Sequence, residues 1–165
     1  MVSNLIIYIL GVTVMDIQVF QSAGYDMCVV DGRVNIITEG VYFDVIVFDD
    51  VVVKIPKKPT NNFNEKLDLE QMVSIQNYLA KHMSEVEPAT LFNNMVITKK
   101  ATGIRSDIIK DNKFREVFDR KVKIMTDYID HLGVEISDIT RRNIFIDGDK
   151  WQLIDFSGAR FKPPE

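Results

Sequence analysis

The first half of the chain alternates between short apolar runs and turn-forming pairs. Between residues 25 and 55 Val, Ile, Phe and Tyr dominate, interrupted at Asp31-Gly32, Glu39-Gly40 and Asp49-Asp50. Asp-Gly between two apolar runs is a strong hairpin signal, because both residues tolerate the positive φ of a tight turn. The pattern predicts an antiparallel meander with strands at 25–30, 33–38, 43–48 and 51–55.

The N-terminus carries an apolar run that is too short to cross a membrane. It extends from Leu5 to Val14 and stops at Asp16, below the roughly 20 residues of a membrane span. Its β-branched residues predict a buried strand; the alternative is a disordered leader ahead of a start at Met15. No basic residue precedes the run and no clear cleavage site follows it, so we expect no signal peptide and a cytoplasmic protein.

A helical period follows the strands. Apolar residues recur at spacings of three and four, which predicts a helix over 63–82. These positions include Leu69, Met72, Ile75 and Leu79. Farther on, Asn93-Asn94 separates two apolar pairs and predicts another hairpin, and residues 101–103 resemble a connector.

A second, longer helix is predicted over 114–131, with an apolar side that is well defined. That side consists of Val117, Phe118, Val122, Ile124, Met125, Ile129 and Leu132. Gly133 is a typical helix stop, since glycine accepts left-handed backbone. A strand at 144–146, a turn at Asp147-Gly148 and a strand at 152–154 follow, so the fold class is α+β.

Composition narrows the class of protein further. The 165 residues are 46% hydrophobic and 27% charged, which excludes a disordered chain and predicts one domain. Twenty basic against 24 acidic residues, a net charge of −4, give no nucleic-acid footprint. A single cysteine, Cys28, excludes a disulfide framework, and a count of two histidines argues against a histidine-based metal cluster.

Candidate chemistry is concentrated in the final third of the chain. Asp138 lies five residues before Asn143, and Asp155 follows the predicted hairpin. A carboxylate in a loop can accept the proton of a hydroxyl nucleophile. An amide and a carboxylate flanking one hairpin are oxygen ligands of the kind that suits Mg²⁺ on phosphates. The pattern predicts Asp138 as a base, and Asn143 with Asp155 as metal ligands.

This arrangement resembles the protein-kinase-like superfamily. Asp138-Ile-Thr-Arg-Arg-Asn143 is similar to the D-x-x-x-x-N catalytic loop, and Asp155-Phe156-Ser157-Gly158 to the D-F-G segment with one inserted residue. Val51-Val52-Val53-Lys54 resembles the V-A-I-K strand. Residues 38–45 resemble the glycine-rich loop, with Gly40 as its one remaining glycine and Tyr42 at its tip. The similarity covers about residues 35–160.

The resemblance implies a two-lobed fold within a single domain. An antiparallel-sheet N-lobe would span 1–97, and a strongly reduced helical C-lobe would span 98–165. ATP would bind between them, with Val45 and Val52 against the adenine faces. The connector from Ile97 to Lys100, Lys99 included, would contact the adenine edge.

The resemblance also implies a role for each charged site residue. Lys54 would orient the phosphates and act with Asp138 in catalysis. Its carboxylate partner on the following helix would be Glu70, for which Glu65 is the alternative. Arg141 and Arg142 either contact a phosphate or an acidic partner, or belong to a solvated loop. Trp151 would pack where the lobes meet.

Departures from the family pattern point to a minimal, atypical member. Ile136-Ser137 replaces the H-R that precedes the base, and Thr140 replaces a lysine. These features resemble the RIO kinases and lipopolysaccharide-kinase-like proteins. Ten residues follow Asp155, so no activation segment or A-P-E is expected.

Three function classes remain open. The first is an ATP- and Mg²⁺-dependent phosphotransferase acting on a protein Ser/Thr hydroxyl, on itself, or on a small hydroxylated acceptor such as a sugar. The second is a pseudokinase that binds nucleotide, and the third is a non-catalytic interaction domain. The four intact site residues favour the first, and the missing substrate lobe favours the second. We also expect a partner protein or a second copy to cover the 114–132 helix.

Overall fold

A computed structural model describes the backbone of residues 3–8, 14–22, 25–30 and 33–39, and the complete residues 42–57 and 68–163. The architecture is α+β with antiparallel sheets, and two α-helices lie within these ranges. None of the helices described is long and apolar enough to cross a membrane.

One antiparallel sheet of eight strands, here called the large sheet, dominates the fold. Its strand order is β1-β2-β3-β4-β5-β6-β8-β7. The strands are β1 (Ser3–Tyr8), β2 (Val14–Ser22), β3 (Tyr25–Val30), β4 (Arg33–Glu39), β5 (Phe43–Val47), β6 (Val51–Pro56), β7 (Ala89–Phe92) and β8 (Met95–Lys99). The four strands predicted between residues 25 and 55 are confirmed to within one residue. Residues 31 and 32, the predicted turn, lie outside the described residues.

The N-terminal apolar run divides between two strands. β1 pairs with β2 so that Leu5 faces Ile17 and Tyr8 faces Val14. The prediction of a strand is therefore confirmed, but a single strand through Val14 is wrong, because β2 begins there. Residues 3–8 form the first strand of the large sheet.

Helix α1 (Leu69–Ala80) connects β6 to β7. Asp68 is its N-cap, in an extended conformation, and its side chain accepts a 2.9 Å hydrogen bond from the Gln71 amide. The helix is shorter than predicted, because this cap sets its start and it ends at Ala80. Residues 63–67 of the predicted helix lie outside the described residues. The predicted apolar face is confirmed as buried; it includes Leu69, Met72, Ile75 and Leu79.

The remaining chain combines a long helix with two small antiparallel sheets. Helix α2 (Asn112–His131) ends before Gly133, whose φ of 74° is the left-handed stop expected there. The predicted hairpin is confirmed as β11 and β12, whereas three shorter strands were not predicted because they are too short to show a period. These elements are β9 (Ile104–Arg105), β10 (Val134–Ile136), β11 (Ile144–Asp147), β12 (Lys150–Leu153) and β13 (Ala159–Phe161). One small sheet is β12-β11-β9 and the other is β10-β13.

A single buried cluster joins the large sheet, both helices and the β11–β12 hairpin. Phe43 and Val96 contribute from the sheet, and Leu79 from α1. Phe118 and Phe156 contribute from the C-terminal half. The cluster fixes the hairpin relative to β6, which is what positions the candidate site.

One prediction about α2 is wrong in detail. Val117 and Ile124, expected on the buried side, are 56% and 58% exposed. The helix buries only the narrower face of Phe118, Met125 and Ile129. The Trp151 ring lies 5.7 Å from that of Phe118 and is stacked on it; its predicted place where the lobes meet stays a prediction.

Candidate functional site

The β11–β12 hairpin brings the two predicted metal ligands to one end. Asn143 directly precedes β11, and Asp155 follows β12 by two residues. The strands pair in register from Ile144 with Leu153, and the Ile154 amide donates a 3.0 Å hydrogen bond to the Asn143 carbonyl oxygen. The backbones of the two ligand segments are thus adjacent.

Asn143 also holds the predicted base. Its Nδ2 donates hydrogen bonds to the Asp138 carbonyl oxygen at 3.0 Å and to Asp138 Oδ2 at 3.1 Å. Because the amide nitrogen faces Asp138, its Oδ1 remains available to a further ligand. Asp138 itself is exposed, so an acceptor in solution can reach its carboxylate.

Lys54 approaches the same place from the large sheet. It lies on β6, which is paired on both sides, with β5 and with β8. The side chain is 12% exposed; Nζ donates to the Ile154 carbonyl oxygen at 3.0 Å and lies 3.7 Å from Asp155 Oδ1. The backbone of Ile154 is therefore bonded to Asn143 through its N–H and to Lys54 through its carbonyl oxygen.

Burial determines the electrostatics of Lys54. Desolvation lowers the pKa of its ammonium below the usual 10.5, and the charge and hydrogen bonding of Asp155 act in the opposite direction. Nζ also lies 5.8 Å from the centre of the Phe43 ring. The buried Lys54 ammonium has one partly exposed carboxylate, that of Asp155, as its partner, so a further anionic oxygen atom beside it would be strongly favourable.

The predicted adenine contacts are divided between the two faces of the large sheet. Val45 lies opposite Lys54 in the register, and Val52 lies two residues before it, so all three share a face. Ile97 and Lys99 lie in β8 opposite Val53 and Val51. Their side chains therefore belong to the other face. The coil of the connector begins at Lys100, whose amide donates to the Asp50 carbonyl at 2.8 Å.

Of the remaining predicted nucleotide contacts, Glu70 and Tyr42 lie among the described residues. Glu70 lies in the first turn of α1 and is exposed, while the ion pair that the described residues give Lys54 is with Asp155. Tyr42 is 42% exposed. Gly40 and Glu65 lie outside the described residues. The roles assigned to these four residues stay predictions.

Arg141 anchors the loop that carries Asp138, a role that sequence reasoning missed. Its Nη2 donates to the carbonyl oxygens of Ser106 at 2.7 Å and Ile109 at 2.5 Å. The guanidinium lies 5.6 and 5.5 Å from the Phe114 and Phe118 rings. A solvated position is therefore wrong for Arg141, whereas Arg142 is exposed. No local sequence signal links Arg141 to aromatic residues so distant in the chain.

A polar junction behind the hairpin was also missed. Gln152 is buried; its Oε1 accepts from the Thr102 amide at 2.9 Å, and its Nε2 donates to Glu87 Oε1 at 3.3 Å. Gln76 of α1 donates to the Glu87 carbonyl oxygen at 2.7 Å. These hydrogen bonds link α1, the connector and β12. The two glutamines belong to no sequence motif, so the link could not be predicted.

The donor set at the hairpin fits a metal that is shared with phosphates. Among the residues that the structure describes, no three His, Cys, Asp or Glu side chains form a cluster able to hold an ion. Asn143 offers an amide oxygen, and Asp155 offers the oxygens of a carboxylate. Mg²⁺ takes few protein ligands where phosphate oxygens and water complete its octahedron, so these residues suit a nucleotide-bound Mg²⁺.

Comparison with known proteins finds similarity among solved structures but not among sequences. No protein-family model matches the sequence, and no curated protein matches it. Among solved structures, the chain is similar to WbdD in a co-crystal with the kinase inhibitor LY294002, at 11% sequence identity and a TM-score of 0.46. The match covers 79% of this chain and 34% of that chain.

Proposed function

We propose that this protein is an ATP- and Mg²⁺-dependent phosphotransferase of the protein-kinase type, with its site at the open end of the β11–β12 hairpin. The proposal rests on the position of Lys54, whose ammonium bonds the Ile154 carbonyl and lies 3.7 Å from Asp155. Asn143 and its hydrogen-bonded partner Asp138 adjoin the same peptide. A cation from β6 thus meets two oxygen ligands and a base that come from the distant segment around the hairpin.

Each side chain has a distinct task in this proposal. Lys54 binds nucleotide phosphate oxygens, which are favourable partners for an ammonium that has lost most of its hydration. Asp155 and Asn143 would hold Mg²⁺, which when bound supplies positive charge to the phosphates. Val45 and Val52 offer an apolar surface on the same face as Lys54 for the base of the nucleotide.

Asp138 acts on the acceptor rather than on the nucleotide. It accepts the proton of the acceptor hydroxyl while that oxygen bonds to the γ-phosphorus and the bond to the β–γ bridging oxygen breaks. ADP and the phosphorylated acceptor result, and the proton passes from Asp138 to solvent. The 3.1 Å hydrogen bond from Asn143 orients the carboxylate.

The acceptor is a hydroxyl that can reach an exposed carboxylate. A protein Ser or Thr, including one of this chain, meets this requirement, and so does a small hydroxylated molecule. Ser137 and Thr140, in the same loop as Asp138, are also exposed.

The test is γ-phosphate transfer from ATP in Mg²⁺ by the wild type and two variants. Asp138→Asn is expected to lower turnover about 10²- to 10⁴-fold, the usual contribution of a positioned base, with ATP affinity unchanged. Asp147→Asn, the same change at an exposed residue of the hairpin, is the control. It should leave turnover and ATP affinity unchanged. Equal turnover in wild type and Asp138→Asn would refute the assignment of the base. ATP binding without turnover in the wild type would instead establish a nucleotide-binding pseudokinase.

A further inference from the structure

Helix α2 presents an apolar stripe to solvent. Val117, Ile124 and Tyr128 are 56%, 58% and 42% exposed. Their spacings of seven and four residues place them on one face of the helix, within about 40° of each other. This stripe lies beside the buried face, and no other described residue covers it. Exposed apolar side chains aligned along one helix face are typical of interaction sites.

Two opposite charges border the stripe on the side away from the core. Arg120 and Asp127 are seven residues apart, so they occupy the same edge of α2. Both are exposed, Asp127 by 63% of its side chain. Asp127 pairs within the helix with Lys123 at 2.7 Å, and the Lys123 side chain is 75% exposed. Such exposed pairs contribute little and exchange partners readily.

We propose that this stripe is a self-association surface on which two copies of the chain pair their α2 helices antiparallel about a two-fold axis. Val117 then packs on Tyr128 of the partner subunit, and Ile124 packs on the aliphatic stem of Lys121 of the partner subunit. No residue of the stripe belongs to the candidate site, so the inference does not depend on the proposed function.

Charge selects the antiparallel arrangement and a second copy as the occupant. In an antiparallel pair, Arg120 comes opposite Asp127 of the partner subunit, and symmetry repeats the contact. In a parallel pair about a two-fold axis, opposite edges of the two helices meet, so Arg120 would not reach Asp127 of the partner subunit and this contact would be lost. The surface is thus complementary to itself in one orientation only.

The small area of the apolar stripe determines the affinity that we expect for the dimer. A helix of 20 residues is about 30 Å long, and three apolar side chains per copy bury less than the roughly 800 Å² per partner of a standard interface. We therefore expect a reversible dimer with a dissociation constant in the micromolar range or weaker. The flanking ion pairs are accessible to salt, which should weaken the dimer further.

The first test is sedimentation equilibrium of the full chain from low micromolar to several hundred micromolar. The wild type should show a monomer–dimer equilibrium, and Ile124→Glu should raise the dissociation constant at least about tenfold. Ile108→Glu is the matched control, because Ile108 is 62% exposed and lies outside α2; it should leave the constant unchanged. A wild type that is monomeric throughout, or a dimer unaffected by Ile124→Glu, overturns the proposal.

A charge exchange tests the orientation of the two helices separately. Unlike Ile124→Glu, it does not place a carboxylate among the apolar residues of the stripe. Arg120→Asp and Asp127→Arg should each weaken the dimer about three- to tenfold, because each places like charges across the interface. The double variant should restore the constant to within about threefold of the wild type. Failure of the double variant to recover overturns antiparallel pairing through this edge. Thermal unfolding of each variant checks that the substitution, which is at an exposed position, leaves the protein folded.

Discussion

Lys54 and Asp155 form an ion pair between β6 of the large sheet and the loop that follows the β11–β12 hairpin, with Nζ 3.7 Å from Oδ1. The two partners differ in exposure, since 12% of the lysine side chain and 35% of the aspartate side chain are accessible. The ammonium therefore bears most of the desolvation cost, and the carboxylate stays open to a ligand. The contact couples the sheet to the metal-ligand end of the hairpin.

Lys54→Met is expected to abolish ATP-dependent stabilisation without lowering the melting temperature at neutral pH. Burial lowers the pKa of Lys54 below 10.5, so the folded state disfavours the protonated form that the unfolded state carries freely. This penalty is present below the lowered pKa and is relieved as the pH rises towards 10.5. Wild-type stability should rise in that alkaline window, and the rise should be absent from Lys54→Met. Thermal unfolding over a pH series measures both effects.

Lys57→Met is the matched control for this experiment. Lys57 also lies beside a carboxylate, with Nζ 3.5 Å from Asp44 Oδ1, but 34% of its side chain is exposed. Its replacement should change stability by less than about 1 kcal/mol and should preserve the ATP effect. If Lys54→Met kept the full stabilisation by ATP, Lys54 would not be a phosphate ligand.

Asp155→Ala is expected to remove the increment in melting temperature that Mg²⁺ adds to ATP. A ligand that binds only the native state raises its stability, so the increment reports metal-assisted binding. Asp149→Ala is the control, because Asp149 is exposed in the turn of the same hairpin. Differential scanning fluorimetry with ATP alone and with ATP plus Mg²⁺ separates the two contributions. An unchanged Mg²⁺ increment in Asp155→Ala would exclude Asp155 as a metal ligand.

Local signals predicted the elements whose causes are local. Asn93-Asn94 was predicted to form a hairpin turn, and both residues have positive φ, 45° and 62°, as a tight turn between antiparallel strands requires. The buried positions of α1 follow directly from their spacing. At the candidate site, the nearness of Asn143 to Asp155 was predictable because only one hairpin separates them.

Long-range contacts were beyond local signals. The periodicity of α2 showed a broad apolar side but could not show that Val117 and Ile124 on that side are exposed. The polar bonds of Gln152 and the anchoring of Arg141 depend on segments brought together by the whole fold. The approach of Lys54 to the hairpin was expected only through the family resemblance, and the structure pairs it with Asp155 rather than with Glu70.

Gly103→Ala is expected to destabilise the protein by about 3 kcal/mol or more, in the range of severe single substitutions. Gly103 has a φ of 83°, and a Cβ there would lie 2.1 Å from the Ile146 carbonyl oxygen of β11. The connector and the hairpin would have to separate. Gly148→Ala is the control, because its φ is 58° but nothing lies within 4 Å of the added atom, so about 1–2 kcal/mol of backbone strain is expected. Urea unfolding compares the two, and equal losses would contradict the close approach of connector and hairpin.

Glu85→Gln is expected to weaken the dependence of stability on acid pH. The Glu85 carboxylate binds Lys121 of α2 at 2.6 Å, and its carbonyl oxygen accepts from the Leu153 amide at 2.8 Å, so this residue links α2 to β12. Burial alone would raise the pKa of Glu85, but the hydrogen bond from Lys121 and the lesser favourable contacts outweigh it, and the pKa lies below 4.5.

A carboxyl group with a lowered folded-state pKa stabilises the protein above its unfolded value, and this contribution is lost as the pH falls through the folded pKa. Below pH 4.5 the wild type should therefore lose stability more steeply than Glu85→Gln. At neutral pH the variant should be less stable by at most about 1 kcal/mol, because the pair is partly exposed. Glu116→Gln, at an exposed position of α2, should retain the wild-type acid profile. Urea unfolding from neutral to acid pH measures the free energy of unfolding of each variant. Parallel pH profiles for wild type and Glu85→Gln would show that the Glu85–Lys121 pair does not stabilise the fold.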